Sequence, residues 1–193
     1  MKPVIATFDD FFDEPLVAQK EILDGNFENF VSPWDGVTYP GINQNLPDWV
    51  KEYVIERLSA IVGGPIAPVA IFARVTSAAT GAAPHRIHSD RLMAEFSAHI
   101  YISGFWPEGA GTTFWTHVSE GHVHDDHTDV ATITRDMHDA SQWERSIACQ
   151  GAFNRVLIHD ASFYHSAEPV GGWGDSPQNG RVVVTCFFNK GSK

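Results

Sequence analysis

The 193-residue sequence predicts a mainly β domain with helices packed outside it, a β-sandwich or jelly roll elaborated at its N-terminal end. Two observations carry this expectation. Helical apolar spacing is concentrated in the first third of the chain, whereas short strand-like runs bounded by Gly, Pro and Asn clusters dominate the rest. Helices first and strands later is the order of a sheet domain with helices laid on its outer face. The 13 Phe and 6 Trp add the large rings that pleated surfaces favour.

Val4 to Phe8 reads as a short strand. Asp9 to Pro15 is a turn into a helix whose apolar stripe is Leu16, Val17, Ile22 and Leu23. Residues 25–46 hold Gly, Pro and Asn clusters and read as a loop wrapped over a surface. Pro47 opens the clearest helix, with Trp49, Val50, Tyr53, Val54, Leu58, Ile61 and Val62 at helical spacing and Gly63-Gly64 at its end. Strands follow at Val69–Val75, around His88 to Asp90, and at Ala94–Ile102, Thr112–Thr116, Arg155–His159, Tyr164–Glu168 and Arg181–Phe188. Residues 117–150 break that rhythm and read as an insertion, with a short helix expected over Thr134–Ala148 on Met137, Trp143 and Ile147. The whole chain is expected to form one domain: residues 1–65 a helical elaboration, residues 66–193 the jelly-roll core.

Composition narrows the function. The 24 acidic and 13 basic side chains leave a formal charge of −11, and no basic run offsets it, so nucleic acid and anionic membranes are not expected partners. A small-molecule or peptide substrate is. Cys149 and Cys186 make no disulfide framework, and Cys186, inside the strand pattern Val182 to Phe188, reads as a buried small hydrophobe. No signal-peptide apolar stretch stands at the N-terminus and no run reaches membrane-span length, so a cytoplasmic location is expected.

The chemistry sits in His88-Ser89-Asp90. On a strand, residues two apart share a face, so an imidazole and a carboxylate there grip one metal ion from one side. His165 lies far enough downstream to return through several strands and supply a third donor. Two His and one carboxylate on one face leave the opposite positions of a ferrous ion open for substrate and O₂. Arg181 opens the last strand beyond His165. The 2-oxo acid end of 2-oxoglutarate chelates such an ion, and its distal carboxylate needs a permanently charged, bidentate partner, which an arginine fork is. His99 and Tyr101 share a strand face with Ser97. If that face looks inward, Tyr101 can hydrogen-bond the co-substrate, and Thr112 is placed comparably. His85 is a candidate neighbour of the metal donors. His122, His124 and His127 with Asp125 and Asp126 read as a solvated acidic loop, and Trp173, on a glycine-rich loop, as a pocket wall or barrel cap.

From Pro84 onward the sequence resembles the Fe(II)/2-oxoglutarate-dependent oxygenases, most of all their prolyl-4-hydroxylase-like branch. The residues that carry the resemblance are His88-Ser89-Asp90, the strand ending at Tyr101, Gly109-Ala110-Gly111-Thr112-Thr113-Phe114, His165-Ser166-Ala167-Glu168-Pro169-Val170 and Arg181. It departs at Ala110, where the branch has a second Gly, and at Val183, where many relatives have Ser or Thr; Thr185 is the next hydroxyl on that face. The resemblance implies a cupin-like double-stranded β-helix, iron on His88, Asp90 and His165, and 2-oxoglutarate on Arg181 with Tyr101 and Thr112 beside it. It also implies O₂-dependent hydroxylation of a small molecule, amino acid or peptidyl residue, releasing succinate and CO₂. Two other readings stay open: a non-catalytic jelly-roll binding module, and a cupin-type metal enzyme that does not use 2-oxoglutarate.

Overall fold

The computed structural model describes residues 4–33, 35–125 and 130–191. It is a two-sheet jelly roll. The chain runs β1 (Ile5–Phe8), α1 (Pro15–Leu23), β2 (Glu28–Val31), β3 (Thr38–Asn43), α2 (Asp48–Val62), β4 (Ile66–Thr76), β5 (Phe96–Tyr101) and β6 (Gly111–His117). It continues through α3 (Val130–Asp136), a 3₁₀ turn (Ala140–Gln142), β7 (Trp143–Gln150), β8 (Val156–Asp160), β9 (His165–Glu168) and β10 (Arg181–Lys190). The major sheet has the order β1-β8-β5-β10-β4-β3-β2 and the minor sheet β7-β6-β9. The pairings within both are antiparallel.

Strand alternation divides the major sheet into two faces with different chemistry. Ala73 and Val75 of β4, Ala98 and Ile100 of β5, Val156 and Ile158 of β8, and Val182, Val184, Cys186 and Phe188 of β10 point to one side. There they bury Ala18 and Ile22 of α1 and Val50, Val54 and Leu58 of α2. This helix-covered layer is the main core, and burying aliphatic side chains of this kind is worth roughly 1.5–3 kcal/mol each. The alternate residues, including Ser97, His99, Tyr101, His159, Arg181, Val183 and Thr185, face the minor sheet. The side that is polar in sequence is therefore the barrel interior.

Several local expectations are corrected. Residues 28–43 are not loop throughout, because β2 and β3 form a hairpin that extends the major sheet beyond β4. In α1 the buried side chains are Ala18 and Ile22, while Leu16 and Val17 are exposed. A helix one face wide needs only that pair to dock. The helix expected over Thr134–Ala148 is instead the end of α3, the 3₁₀ turn and β7, and β7 pairs with β6 along its length. His88 lies outside the named strands and joins the sheet through one antiparallel bridge to His165. Asp126 and His127 lie outside the described residues. No helix among the described residues is long and apolar enough to cross a membrane.

Candidate functional site

The interior brings His88, Asp90 and His165 together. His88 and His165 exchange backbone hydrogen bonds, with N–O distances of 3.1 and 2.8 Å. That bridge ties the His88 segment to the edge of β9. The Asp90 amide donates to the Ala161 carbonyl at 2.8 Å, which fixes the carboxylate beside both rings. His88 Nε2 lies 3.6 Å from Asp90 Oδ1 and His165 Nε2 3.4 Å from Asp90 Oδ2. The same-side placement expected from the two-residue spacing therefore holds, although a bridge rather than a strand provides it.

Two more imidazoles enter the cluster. His99 of β5 and His159 of β8 are cross-strand neighbours on the inner face, and their Nε2 atoms are 3.1 Å apart. Asp90, His99, His159 and His165 each offer a ligand atom, and those atoms all lie within 4.8 Å of one another. Nothing in the local pattern singles out His159; the one available signal is that it shares a strand face with Leu157.

Hydrogen bonds set how these donors point. Only an N–H can donate to a carbonyl, so His159 Nδ1 donates to the Asp160 carbonyl at 2.8 Å and His165 Nδ1 to the Phe163 carbonyl at 3.0 Å. Both Nε2 lone pairs are thereby left for the interior, the arrangement of metal-binding histidines. His99 Nδ1 lies 3.3 Å from Thr185 Oγ1, and the Ser97 hydroxyl donates to Asp90 Oδ2 at 2.8 Å. His88 Nδ1 is buried without a partner.

Electrostatics favour the ligating forms. Burial, reinforced by His165, pushes His88 down to about 4 and His159 to about 3. Burial and then His159 push His99 well below its ordinary value. Burial alone would raise the Asp90 carboxyl, yet the surrounding imidazoles, His165 first, hold it at about 2. Near neutral pH the site therefore offers His88, His99 and His159 as neutral imidazoles and Asp90 as an ionised carboxylate, as a divalent ion requires. The donor set thus fits a ferrous ion.

Arg181, Tyr101 and Thr112 also meet, at the other end of the same interior. The Tyr101 hydroxyl lies 3.0 Å from Thr112 Oγ1, joining the two sheets. Arg181 is buried; its Nη2 donates to the Gly111 carbonyl at 3.3 Å, and its Nε has no partner. Its guanidinium carbon stands 5.8 Å from the ring centroid of Trp106, which in turn packs edge-on against Trp173. Trp173 is therefore part of the wall. Burial lowers the Arg181 pKa, offset by Tyr101 and Glu168, and burial raises the Tyr101 phenol to about 12 against the Thr112 hydrogen bond. Thr185 lies opposite His99 in the ladder, and Arg181 lies four residues away on the same face, about 13 Å along the strand. A long arginine side chain and a five-carbon dicarboxylate can together span that gap. Val183, between them, is buried against Tyr101 and Leu157, so the missing hydroxyl there is a packing residue.

The remaining candidates lie at the periphery. His85 Nε2 is 3.5 Å from Asp35 Oδ2, and its ring lies 6.4 Å from that of His88. His124 Nδ1 lies 3.2 Å from the Ser162 hydroxyl, and its ring packs on Phe163. Asp125 pairs with Arg91 at 3.1 Å.

No protein-family model matches the sequence, and no curated protein does either. Solved structures share its fold. EvdMO1 is 18% identical with a TM-score of 0.61, over 98% of this chain but only 48% of its own, so this chain spans about half of that protein. AviO1 from Streptomyces viridochromogenes Tue57 is 17% identical with a TM-score of 0.55, over 96% of this chain and 90% of its own. SnoN, described as a non-heme alpha ketoglutarate dependent epimerase from nogalamycin biosynthesis, is 14% identical with a TM-score of 0.59, over 97% and 76%. SnoN has also been solved in complex with Fe3+, alpha ketoglutarate and nogalamycin RO. At these identities the likeness is one of fold.

Proposed function

We propose that this chain is a non-haem Fe(II)- and 2-oxoglutarate-dependent oxygenase. The observation that carries the reading is that two His and one carboxylate share a barrel interior with a buried, underpartnered arginine. His88, Asp90 and His165 would hold the iron. Arg181 would take the distal carboxylate of 2-oxoglutarate, with Tyr101 and Thr112 lining that end. When bound, a ferrous ion would activate O₂ and relay electrons to it, two drawn from oxidative decarboxylation of the 2-oxo acid and two from the substrate. One oxygen atom leaves in succinate beside CO₂, and the other enters the substrate, in this reading as a hydroxyl.

The chain's own groups prepare that chemistry. Ser97 holds the Asp90 carboxylate in place. The carbonyls of Asp160 and Phe163 fix the His159 and His165 tautomers. Trp106, Trp173 and Tyr101 wall the co-substrate end and shield the Arg181 charge from water, which strengthens its grip on a carboxylate. Asp90 would supply the carboxylate ligand whose absence makes room for a halide, and this, with the sequence resemblance to the prolyl-4-hydroxylase-like branch, supports hydroxylation as the reading.

The test is succinate formation from 2-oxoglutarate without added substrate. It is expected to require both Fe(II) and 2-oxoglutarate and to fall at least about a hundredfold in His88→Ala and Asp90→Ala, the loss that removing an essential group brings. Unchanged turnover in either variant would reject the assignment. A second reading has its own support: Asp90, His99, His159 and His165 form a three-His, one-carboxylate set of the kind cupin metal enzymes use. Under that reading His159→Ala abolishes metal binding and His88→Ala does not.

A further inference from the structure

Arg74 is a second cation of the interior, and the chemistry above does not use it. Its neighbours Ala73 and Val75 enter the helix-side core, so Arg74 faces inward from β4. There it pairs with Val183, one inward step from Arg181 along β10. Its guanidinium carbon lies 5.9 Å from the ring centroid of Tyr39. Nε and Nη2, the two nitrogens of its side-on edge, are closed off from solvent and make no hydrogen bond. Among the described residues the arginine ion pairs belong to Arg91, Arg135 and Arg155; Arg74 has no carboxylate in reach. Burial and then Arg181 lower its pKa to about 10, so it stays charged at neutral pH.

A cation whose Nε–Nη2 edge is closed to solvent with no counter-ion, within electrostatic reach of Arg181, is costly to keep. A free Nε–Nη2 edge is also the fork that grips a carboxylate bidentately. Its location separates it from the co-substrate end. Arg181 reaches toward Gly111 of the minor sheet, whereas Arg74 lies under Tyr39. The Tyr39 ring is 6.0 Å from that of His85, itself beside His88. The side chains of His85 and His88 keep 28% and 30% exposure, so this flank is where solvent reaches the metal donors. An entering molecule meets Arg74 there.

We propose that Arg74 anchors a carboxylate of the molecule that is oxidised, so that the primary substrate is a small carboxylic acid. The inference rests on the oxygenase reading, in which Arg181 already serves 2-oxoglutarate. Two measurements test it. In the metal-free protein, Arg74→Met keeps the apolar stem and removes an unpaired charge, so the unfolding midpoint is expected to hold or rise; a clear fall would mean that Arg74 has a structural partner and would overturn the proposal. Calorimetry on the Ni(II)-loaded protein supplies the second. Arg181→Met is expected to weaken 2-oxoglutarate binding at least about tenfold, and Arg74→Met by no more than about twofold. The 2-oxoglutarate-loaded protein is then titrated with a panel of N-acetyl amino acids, each beside its primary amide. At least one acid is expected to bind about tenfold or more tighter than its amide, and Arg74→Met is expected to erase that margin. The proposal fails if no acid outbinds its amide, if the margin survives in Arg74→Met, or if Arg74→Met loses 2-oxoglutarate as Arg181→Met does. Absence of 2-oxoglutarate binding in the wild type would instead sink the oxygenase reading, and the acid–amide titration, run on the Ni(II)-loaded protein alone, would then decide the Arg74 anchor by the same margin.

Discussion

Asp90 is the residue on which the candidate site turns: it lies between His88 and His165 and accepts from Ser97. Because Ser97 touches the carboxylate rather than the ion, Ser97→Ala tests positioning. Metal affinity, measured by competition with a chelator, is expected to fall about 10- to 100-fold with the fold intact, and an unchanged affinity would remove Ser97 from the account. The buried histidines give a second prediction. Their folded pKa values lie below the unfolded value, so between about pH 6.5 and 4 the unfolded chain binds more protons, and stability must fall as pH falls. His159, fully buried, contributes most, and His88, at 30% side-chain exposure, less. Urea midpoints of the metal-free protein are expected to drop steadily from pH 7 to pH 5; a flat profile would mean these rings protonate freely. At this scale the sequence made His88, Asp90, His165 and Arg181 legible, since their chemistry is local and their order along the chain distinctive. His159 and Arg74 were not, because each looks like an ordinary polar residue in a strand until the sheet supplies its neighbours.

Among the elements, α2 was readable because its buried residues Val50, Val54 and Leu58 recur at helical spacing, and β5 and β10 because short runs rich in β-branched and aromatic residues, buried on both faces in β10, read as strands. The β2–β3 hairpin was not. β2 is a four-residue edge strand with no fully buried residue, and β3 beside it carries Pro40 and Gly41, so neither shows the apolar alternation of a strand in sequence. The segment of β7 was equally obscure, since its side chains are largely exposed and pairing with β6 alone makes it a strand. That pairing is tight at Gly111, where an added Cβ would sit 2.0 Å from the Cys149 carbonyl oxygen. Gly111→Ala is therefore expected to cost about 3 kcal/mol, the upper end of overpacking. It should also disturb the carbonyl that receives Arg181 and so weaken 2-oxoglutarate binding. Full stability in that variant, measured by chemical denaturation, would contradict the packing of β6 on β7.

For the molecule as a whole, the two-sheet layout was legible from the order of helices and strands, while which face of the major sheet is the interior was only conditional. The structure resolves it: helices cover the aliphatic face, and the polar face becomes the site. Donors drawn from the His88 segment, β5, β8 and β9 meet only in the folded chain, so metal binding is linked to folding and chelation is expected to lower the melting temperature of the loaded protein. The most direct test of the central claim is the visible absorption of the protein titrated anaerobically with Fe(II) and then 2-oxoglutarate. The account predicts a charge-transfer band of the Fe(II)–2-oxo acid chelate that saturates with the co-substrate, is lost in Asp90→Ala, and needs at least about tenfold more 2-oxoglutarate in Arg181→Met. No band in the wild-type protein at saturating Fe(II) and 2-oxoglutarate, or a band undiminished in Asp90→Ala, would contradict it.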